Sequence, residues 1–514
     1  MPLQVTGWIE RYLTDPKQLI YNQKFRAECI PSWFLQQTVR GIPLIRFFNT
    51  HFPKRTFALG MSEACLIYFT LATAAFLGLN GRLSTLEVRN EQGLGKSALV
   101  SVAFIICMYY FDLYDSSIVR SLREGASRLA QVLGAIYIVW AFVDYVYPPW
   151  ALGRSIFLAG PLVVGLLLLW RKLFAIVNTV PGFADRVLIL GDGPLVEPLL
   201  KEFESRPELG LRVVSRVLTV DNGSNRVKYA YADPSGGSLE LDSGDVLSDA
   251  VRHLRVSHIV VAMSERRGRL PVGLLLSLKC SGVRIQDGTD VYETITGKVP
   301  IESIQSGWLL FSPGFYVPRF IRIYKRLASI TVSLIGLFLS LPLLPFVILA
   351  IKWTSRGPVF YRQRRVGHGG AVFYCHKFRT MRADAEADSG PTWASDQDPR
   401  VTAVGRLLRK SRIDEIPQLW NVLKGEMSLV GPRPERPEFV QELLKEIPYY
   451  DLRHTVRPGI TGWAQIRYRY GSSVEDATEK LRYDLFYIKN MSPWLDLLIF
   501  FRTIKTILLG QGAK

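Results

Sequence analysis

The sequence predicts a membrane α plus α/β protein with a four-helix transmembrane bundle, a Rossmann-like cytoplasmic domain, a re-entrant membrane helix and a small C-terminal α/β domain. Three observations carry this prediction. Four apolar runs of bilayer-spanning length lie between residues 56 and 176, strand–turn–helix patterning starts at 186, and a later 25-residue apolar run is interrupted by prolines between two basic flanks. At 514 residues the chain is too long for one ordinary core. Its composition, 48% hydrophobic with net charge +18, fits apolar segments set among basic surfaces. The mean hydropathy of +0.14 agrees.

The bundle, 56–176, follows an N-terminal extension of residues 1–55 and comprises runs near 58–79, 97–113, 128–147 and 155–176. Glu63, Asp112 and Asp144 interrupt three of them and are read as facing neighbouring helices or lying near ends, without a functional role. Basic residues before the first run (Arg40, Arg46, Lys54, Arg55), between the second and third (Arg120, Arg123) and after the fourth (Arg171, Lys172) place both ends of the bundle in the cytoplasm. The first outer loop also carries Arg82, Arg89 and Lys96, so the asymmetry is moderate. No cleavable leader is expected, because the first fifty residues are mixed and charged. The basic residues are spread beside apolar runs rather than gathered in a tract, which points to anionic membrane lipids and phosphorylated substrates and away from nucleic acid. Five cysteines without CxxC spacing suggest neither a zinc site nor a disulfide framework.

Residues 186–311 read as soluble α/β: a strand from Val187 to Leu190, the glycine turn Gly191-Asp192-Gly193, a helix through Leu195, Leu199, Leu200 and Phe203, then strands near 211–220 and 258–263. A dinucleotide fingerprint needs a third glycine where Val196 stands, and no acidic residue is well placed on a second strand. The unit is therefore read as a structural or regulatory module ahead of a dinucleotide site. The Asn/Gly/Ser-rich piece 221–245 reads as a surface loop.

The segment 318–356 decides the topology. Its apolar run, 327–351, is long enough to cross a bilayer, but Arg319, Arg322, Lys325 and Arg326 precede it and Lys352, Arg356, Arg362, Arg364 and Arg365 follow it. Both ends ask for the same side. Pro342 and Pro345 remove backbone donors in mid-run, and Ser340 can satisfy a freed carbonyl, so a helix-break-helix that enters and leaves by the cytoplasmic leaflet is expected. A kinked transmembrane helix is the alternative.

Residues 357–514 contain the residues suited to chemistry. Pro417 belongs in the first turn of a helix that Gly425 ends, which places Asp414 and Glu415 at its N-terminus. Such acids also cap helices without further purpose, contributing roughly 0.3–1 kcal/mol each. Their company favours chemistry: adjacent carboxylates on a helix serve different atoms, one attacking phosphorus while the other holds Mg²⁺, and Gly431-Pro432-Arg433-Pro434 offers an arginine on a rigid turn for phosphate. Lys377 and Arg379 can project from a strand towards the same phosphate, while Arg362, Arg364 and Arg365 serve lipid headgroups as readily as substrate.

The stretches GPVFYRQRRVG, KFRTM, DPRVTAVGRLLRKSRIDEIPQLWNVLKGEMSLVGPRPERPEF, RPGITGWAQIRY and EKLRYDLFYIKNMSPWLDL closely resemble the monotopic polyprenyl-phosphate phosphoglycosyl transferases and cover most of 319–514. With the bundle and the Rossmann-like unit the chain looks like the long form, similar to undecaprenyl-phosphate glucose phosphotransferases of exopolysaccharide assembly. The resemblance implies a multi-pass protein of the bacterial inner membrane whose catalytic domain faces the cytoplasm. It implies UDP-sugar and undecaprenyl phosphate as substrates, glucose as the first sugar to consider, and Mg²⁺ as cofactor. In a ping-pong reaction Asp414 would attack the β-phosphorus, Glu415 would bind Mg²⁺, Arg433 would contact phosphate, and Lys377, Arg379, Arg457 and Gln465 would belong to the site. A Ser-Pro pair often breaks the membrane helix in this family; here the break reads Ser340-Leu341-Pro342.

Two rivals stand beside this reading: a non-catalytic scaffold or nucleotide-sensing regulator, and a membrane glycosyltransferase that moves sugar without its phosphate. A homodimer is left open. The stretch from Trp494 has a wide apolar side and reads as an interfacial helix, with core packing as the alternative.

Overall fold

The computed structural model describes residues 44–47, 50–78, 93–114, 122–147, 154–179, 185–206, 209–221, 227–232, 238–241, 245–266, 269–304, 308–309, 312, 314–382, 385, 398–468, 471 and 473–508. Most of the expected N-terminal extension lies outside them; its end forms an antiparallel pair, β1 (Leu44–Phe47) and β2 (Thr50–Pro53). Four helices follow: α1 (Lys54–Gly78), α2 (Gly93–Tyr110), α3 (Leu122–Val146) and α4 (Arg154–Thr179). α1, α3 and α4 are long and apolar enough to cross a membrane, and the apolar part of α2, Leu94–Tyr110, is shorter. Each helix turns an i, i+4 stripe inward, such as Ile67 and Leu71, Val100, Phe104 and Met108, or Val163 and Leu167, while Phe69, Ile138 and Leu158 point out. Apolar side chains on both faces are what a bundle in lipid requires, since its outer solvent is as apolar as its core.

The interrupting acids have partners. Glu63 on α1 is fully buried and takes a two-pronged bond from Arg171 on α4, with Nε at 2.6 Å and Nη2 at 3.2 Å. Arg171 also donates to the Leu113 carbonyl at 2.8 Å, closing the base of the bundle.

The α/β unit is a six-stranded sheet in the order β6-β5-β4-β3-β7-β8, where β3 is Asp185–Leu190, β4 Leu211–Asp221, β5 Val227–Ala232, β6 Ser238–Leu241, β7 His258–Val261 and β8 Arg284–Asp287. β4, β3, β7 and β8 run parallel. Along β3, Val187 and Ile189 pack against α5 (Val196–Ser205) and α8 (Gly288–Thr296). Leu188 and Leu190 face α6 (Asp245–His253) and α7 (Val272–Cys280). Burial on both faces explains the unbroken apolar run. The 221–245 piece is not only loop: β5 and β6 extend the sheet edge as antiparallel strands. Val227, Tyr229 and Tyr231 alternate with smaller or polar residues there, a strand signal that the surrounding Asn, Gly and Ser masked. Gly193 donates its N–H to Ala262 O at 2.9 Å, and a Cβ on Gly191 or Gly193 would meet that carbonyl at 2.7 or 2.5 Å. The glycines thus serve close packing of the β3 turn on the end of β7, and Val196 is buried in the core.

Next come α9 (Arg319–Ser340) and α10 (Leu344–Thr354), separated at Leu341–Leu343. Ser340 Oγ donates to Leu337 O at 2.8 Å at the break. Both arms rest on the C-terminal domain. Gly336 of α9 lies against Leu419, and Val347 and Ile351 of α10 are buried with Phe378, Leu408, Ile413 and Ile416. Outward, Phe338, Phe346 and Trp353 are exposed.

That domain contains the antiparallel pair β9 (Phe360–Val366) and β10 (Val372–Phe378), helices α11 (Ala403–Lys410) and α12 (Gln418–Lys424), and β11 (Ser428–Val430). α13 (Pro437–Glu446), β12 (Gly459–Thr461), which pairs with β11 in parallel, and helices α14 (Trp463–Arg467), α15 (Val474–Lys489) and α16 (Pro493–Leu508) complete it. α16 buries Leu495 and Ile499 in the domain core and leaves Trp494 and Leu497 exposed. Its far end docks on the bundle: Arg502 Nε donates to Tyr109 Oη at 2.8 Å, and Lys505 pairs with Asp112.

Candidate active site

α11 begins with Thr402 capping Gly405 N–H at 2.9 Å and ends where Arg412 adopts a left-handed backbone, φ 57°. That reversal feeds a single 3-10 turn, Ile413–Glu415. Ile413 and Ile416, three residues apart and so on one side of the turn, pack on α10 and Phe378. Asp414 and Glu415 consequently turn away from that core to the wall of a cavity of about 360 Å³. The turn lies just before α12, so the two acids precede the helix start rather than occupying it.

Lys377 reaches the same place from β10. Phe373, Cys375 and Lys377 alternate onto one strand face; the first two are buried with Val422 and Met427, and Lys377 Nζ donates to Glu415 Oε1 at 3.1 Å. Asn421 fixes the distance between strand and helix. Fully buried, it accepts from His376 N–H at 3.0 Å and donates to Tyr374 O at 2.7 Å and Glu426 Oε2 at 2.6 Å, behaving as one more strand residue against β10.

Arg433 completes the cluster, its Nη2 donating to Glu415 Oε1 at 2.9 Å. Its turn is held from behind. Gly431 N–H donates to Thr461 O and Gly459 N–H to Pro432 O, each at 2.9 Å. A Cβ on Gly459 would sit 2.1 Å from Gly431 N, and one on Gly462 would sit 2.2 Å from Gly431 O. The glycines of RPGITG therefore let two backbones touch. Arg453, buried on Asp484 at 3.0 Å, donates to Arg433 O at 2.9 Å, and Arg365 donates to Pro434 O at 2.9 Å.

Among the described residues, the cavity wall carries eleven arginine and lysine residues against three carboxylates, a field suited to phosphates. Asp414 and Glu415 are each 7% exposed, yet they differ. Burial opposes charge on Glu415, but Arg433, Lys377 and Arg412 outweigh it and hold its carboxyl far below the usual range. Burial raises the Asp414 carboxyl above the usual aspartate value, with Glu415 adding to the rise and Lys377 countering it. Asp414 Oδ1 is buried without a hydrogen-bond partner. One acid is thus a fixed anion clamped by cations, and its neighbour, which also lines the cavity, is a more basic carboxylate with one buried, unpartnered oxygen.

Of the expected site residues, Asp414, Glu415, Lys377, Arg379 and Arg433 line this cavity. Arg379 spends two donors on Ser355 O and Arg356 O, both at 2.8 Å, tying the cavity to the end of α10. Arg457 is exposed and Gln465 donates to Ile460 O at 3.1 Å; neither lines the cavity, and their motif serves the backbone packing beneath Arg433. Sequence reasoning passed over Arg412, Asn421 and Arg453. For Asn421 the available signal was a polar residue between Leu419 and Val422 on an otherwise apolar helix side.

Fold and site together define a protein with helices long and apolar enough to cross a membrane and a cation-lined, carboxylate-bearing cavity. The family described as Bacterial sugar transferase matches residues 320–510. A relative from Xanthomonas campestris pv. campestris, UDP-glucose:undecaprenyl-phosphate glucose-1-phosphate transferase, is 32% identical over 436 residues, 79% of this chain and 85% of that protein. One of the same name from Escherichia coli (strain K12) is 33% identical over 63% of this chain and 68% of its own length. UDP-N-acetylgalactosamine-undecaprenyl-phosphate N-acetylgalactosaminephosphotransferase of Aeromonas hydrophila is 48% identical over 44% of this chain, which spans about half, 52%, of that relative's length. The chain belongs to the bacterial sugar transferase family, in its long form.

Proposed function

We propose that this chain transfers a sugar-1-phosphate, with glucose as the sugar, from a UDP-sugar to undecaprenyl phosphate, releasing UMP and forming undecaprenyl-diphospho-sugar at the first membrane step of exopolysaccharide or capsule assembly. The observation that carries the reading is Asp414: a buried carboxylate with an unpartnered oxygen on the wall of a cation-lined cavity. Glucose is supported by the similarity to the Xanthomonas protein, which runs through most of both chains.

An Asp414 carboxylate oxygen attacks the β-phosphorus; the bond from that phosphorus to the bridging oxygen breaks, and UMP leaves with the electron pair. The sugar-phosphate is then held as an acyl phosphate. An oxygen of the lipid phosphate attacks the same phosphorus in turn, and the Asp414 carboxylate departs. Burial makes that carboxylate more basic and so a better nucleophile, while Lys377, Arg412 and Arg433 spread positive charge where phosphoryl oxygens gather. Mg²⁺ suits the donor set, since it takes one or two carboxylates and fills its octahedron with substrate phosphate and water. Glu415 would hold it, a carboxylate kept ionised by Lys377, Arg412 and Arg433 at the cavity wall. The ion would supply charge neutralisation at the diphosphate.

The reading includes a re-entrant α9–α10 that keeps the catalytic domain on the cytoplasmic side of the inner membrane. Its support is that both arms pack on one domain and both flanks are basic. The Rossmann-like unit takes a structural or regulatory part, supported by the commitment of the Gly193 N–H to Ala262 O.

The test is product analysis. Purified full-length protein with Mg²⁺, polyprenyl phosphate and either UDP-glucose or UDP-N-acetylgalactosamine should release UMP and form a lipid diphospho-sugar, fastest with UDP-glucose. Release of UDP would mean transfer without the phosphate, and no nucleotide turnover would mean a scaffold. Asp414→Asn should abolish UMP release while the protein remains folded in membrane; full activity in that variant ends the nucleophile assignment.

A further inference from the structure

The cavity lining is supplied by two chemically different sets of elements. One set belongs to the membrane segment. Pro358 and Phe360 follow α10 by a few residues, Phe360 is half exposed and stacks on Phe378 with ring centres 5.4 Å apart, and Arg379 binds the two carbonyls that follow α10. The other set comes from α13 and the start of α15, far along the chain from α10. There the part-buried Phe439 and Ala477, the latter in the first turns of α15, line the cavity over the buried Leu443 and Tyr450. Arg436 lies 5.8 Å from the centre of the Phe439 ring. Asp414 lines the cavity together with both sets.

The two sets cannot be exchanged between the two substrates of such a reaction. A phosphate anchored to a polyprenyl chain stays at the membrane surface, so it reaches Asp414 from the α10 end, where apolar Pro358 and Phe360 can meet the first carbons of the chain. A nucleotide-sugar comes from water and must place its diphosphate at the same carboxylate. An aromatic-lined recess at α13 and α15 matches the flat, partly apolar face of a nucleobase, which phosphate-binding arginines alone would not hold.

We propose that the nucleoside of the nucleotide-sugar occupies the recess between α13 and the start of α15, walled by Phe439, Leu443, Tyr450 and Ala477, while the lipid phosphate enters at the Pro358–Phe360–Arg379 end. This rests on the reading of the cavity as a nucleotide-sugar site, and it adds which end takes which substrate. Two substrates arriving from opposite ends need not displace each other's bulky parts, only alternate their phosphates at Asp414.

The experiment is equilibrium binding of UMP to the full-length protein in lipid nanodiscs, paired with Michaelis constants for both substrates. Phe439→Ala should weaken UMP binding and raise KM for the UDP-sugar by roughly tenfold or more, the range of a lost base–aromatic contact, with KM for polyprenyl phosphate within about twofold of its starting value. Phe439→Tyr, which keeps the ring, should restore UMP affinity, separating contact from general damage to the fold. Ala477→Phe should block UMP by filling the recess. Phe360→Ala should give the opposite split, raising KM for the lipid and sparing UMP. If wild-type protein binds UMP and Phe439→Ala and Ala477→Phe bind it equally well, the assignment of ends is wrong while the nucleotide-sugar reading stands. If wild-type protein binds no UMP, the reading beneath it is wrong.

Discussion

Asn421 offers a sharp test of how the site is built, because it touches no expected substrate position yet sets the spacing between Lys377 and Glu415. Replacing it with leucine preserves volume and removes three hydrogen bonds. His376 N–H and Tyr374 C=O lose partners at 3.0 and 2.7 Å, on the strand edge that β9 does not cover at that point. Each hydrogen bond of this kind contributes about 0.5–1.5 kcal/mol. Three of them, partly offset by the added apolar contact with Val422 and Met427, give about 3 kcal/mol. For a unit of 150–250 residues this corresponds to a fall in melting temperature of roughly 6–12 °C. The assay is intrinsic-fluorescence melting of the detergent-solubilised protein alongside the rate of UMP release. Asn421→Asp serves as the companion: it keeps the acceptor for His376 but loses the donor to Tyr374 O and places a carboxylate beside Glu426, so it should also lower the melting temperature. A melting temperature within about 1 °C of wild type for Asn421→Leu, with unchanged turnover, would refute the claim that this amide ties α12 to β10.

Four further outcomes are expected. Asp414→Asn should raise the melting temperature at neutral pH while abolishing turnover: burial lifts this carboxyl's pKa, so folding penalises its charged form above that value, and the neutral amide escapes the penalty. UMP release should fall with decreasing pH around a midpoint above the ordinary aspartate range, since protonation removes the nucleophile; a midpoint at or below that range would contradict the raised pKa. Glu415→Gln should do the reverse to stability, lowering the melting temperature, because it strips the shared anion from Arg433, Lys377 and Arg412. Gly459→Ala should cut kcat by at least about tenfold, since a methyl 2.1 Å from Gly431 N must push the Arg433 turn out of place, a loss of about 1.4 kcal/mol of transition-state stabilisation or more.

The elements legible in the sequence are those set by local pattern. The four apolar runs became helices α1 to α4, of which α1, α3 and α4, like α9, are long and apolar enough to cross a membrane, and the prolines marked the α9–α10 break, because length, hydropathy and a missing N–H act within a turn or two of chain. Asp414, Glu415, Lys377 and Arg433, named from the acid pair before Pro417, the proline-bounded turn and a strand position, line one cavity. What escaped was tertiary. β5 and β6 were hidden by loop-forming neighbours, and their strand state depends on pairing with β4. Arg457 and Gln465 carry groups fit for phosphate, but the contact that matters in their segment is backbone against backbone, 2.9 Å from Gly459 N to Pro432 O, which has no side-chain signature. Asn421 and Arg453 act through carbonyls and amides of other segments, so their roles exist only once those segments meet.

The bond from Arg502 to Tyr109 joins positions 393 residues apart. At ordinary translation rates of about 5–20 residues per second, α2 waits roughly 20–80 s for its partner after it is made. During that interval Tyr109 and Asp112 sit at the base of an inserted bundle with their eventual ligands not yet synthesised. Biogenesis is therefore sequential, with the bundle as a landing platform that receives the closing helix last. A lesion at Asp112 should surface as slow maturation of the newly made chain before it surfaces as a defect in the finished enzyme.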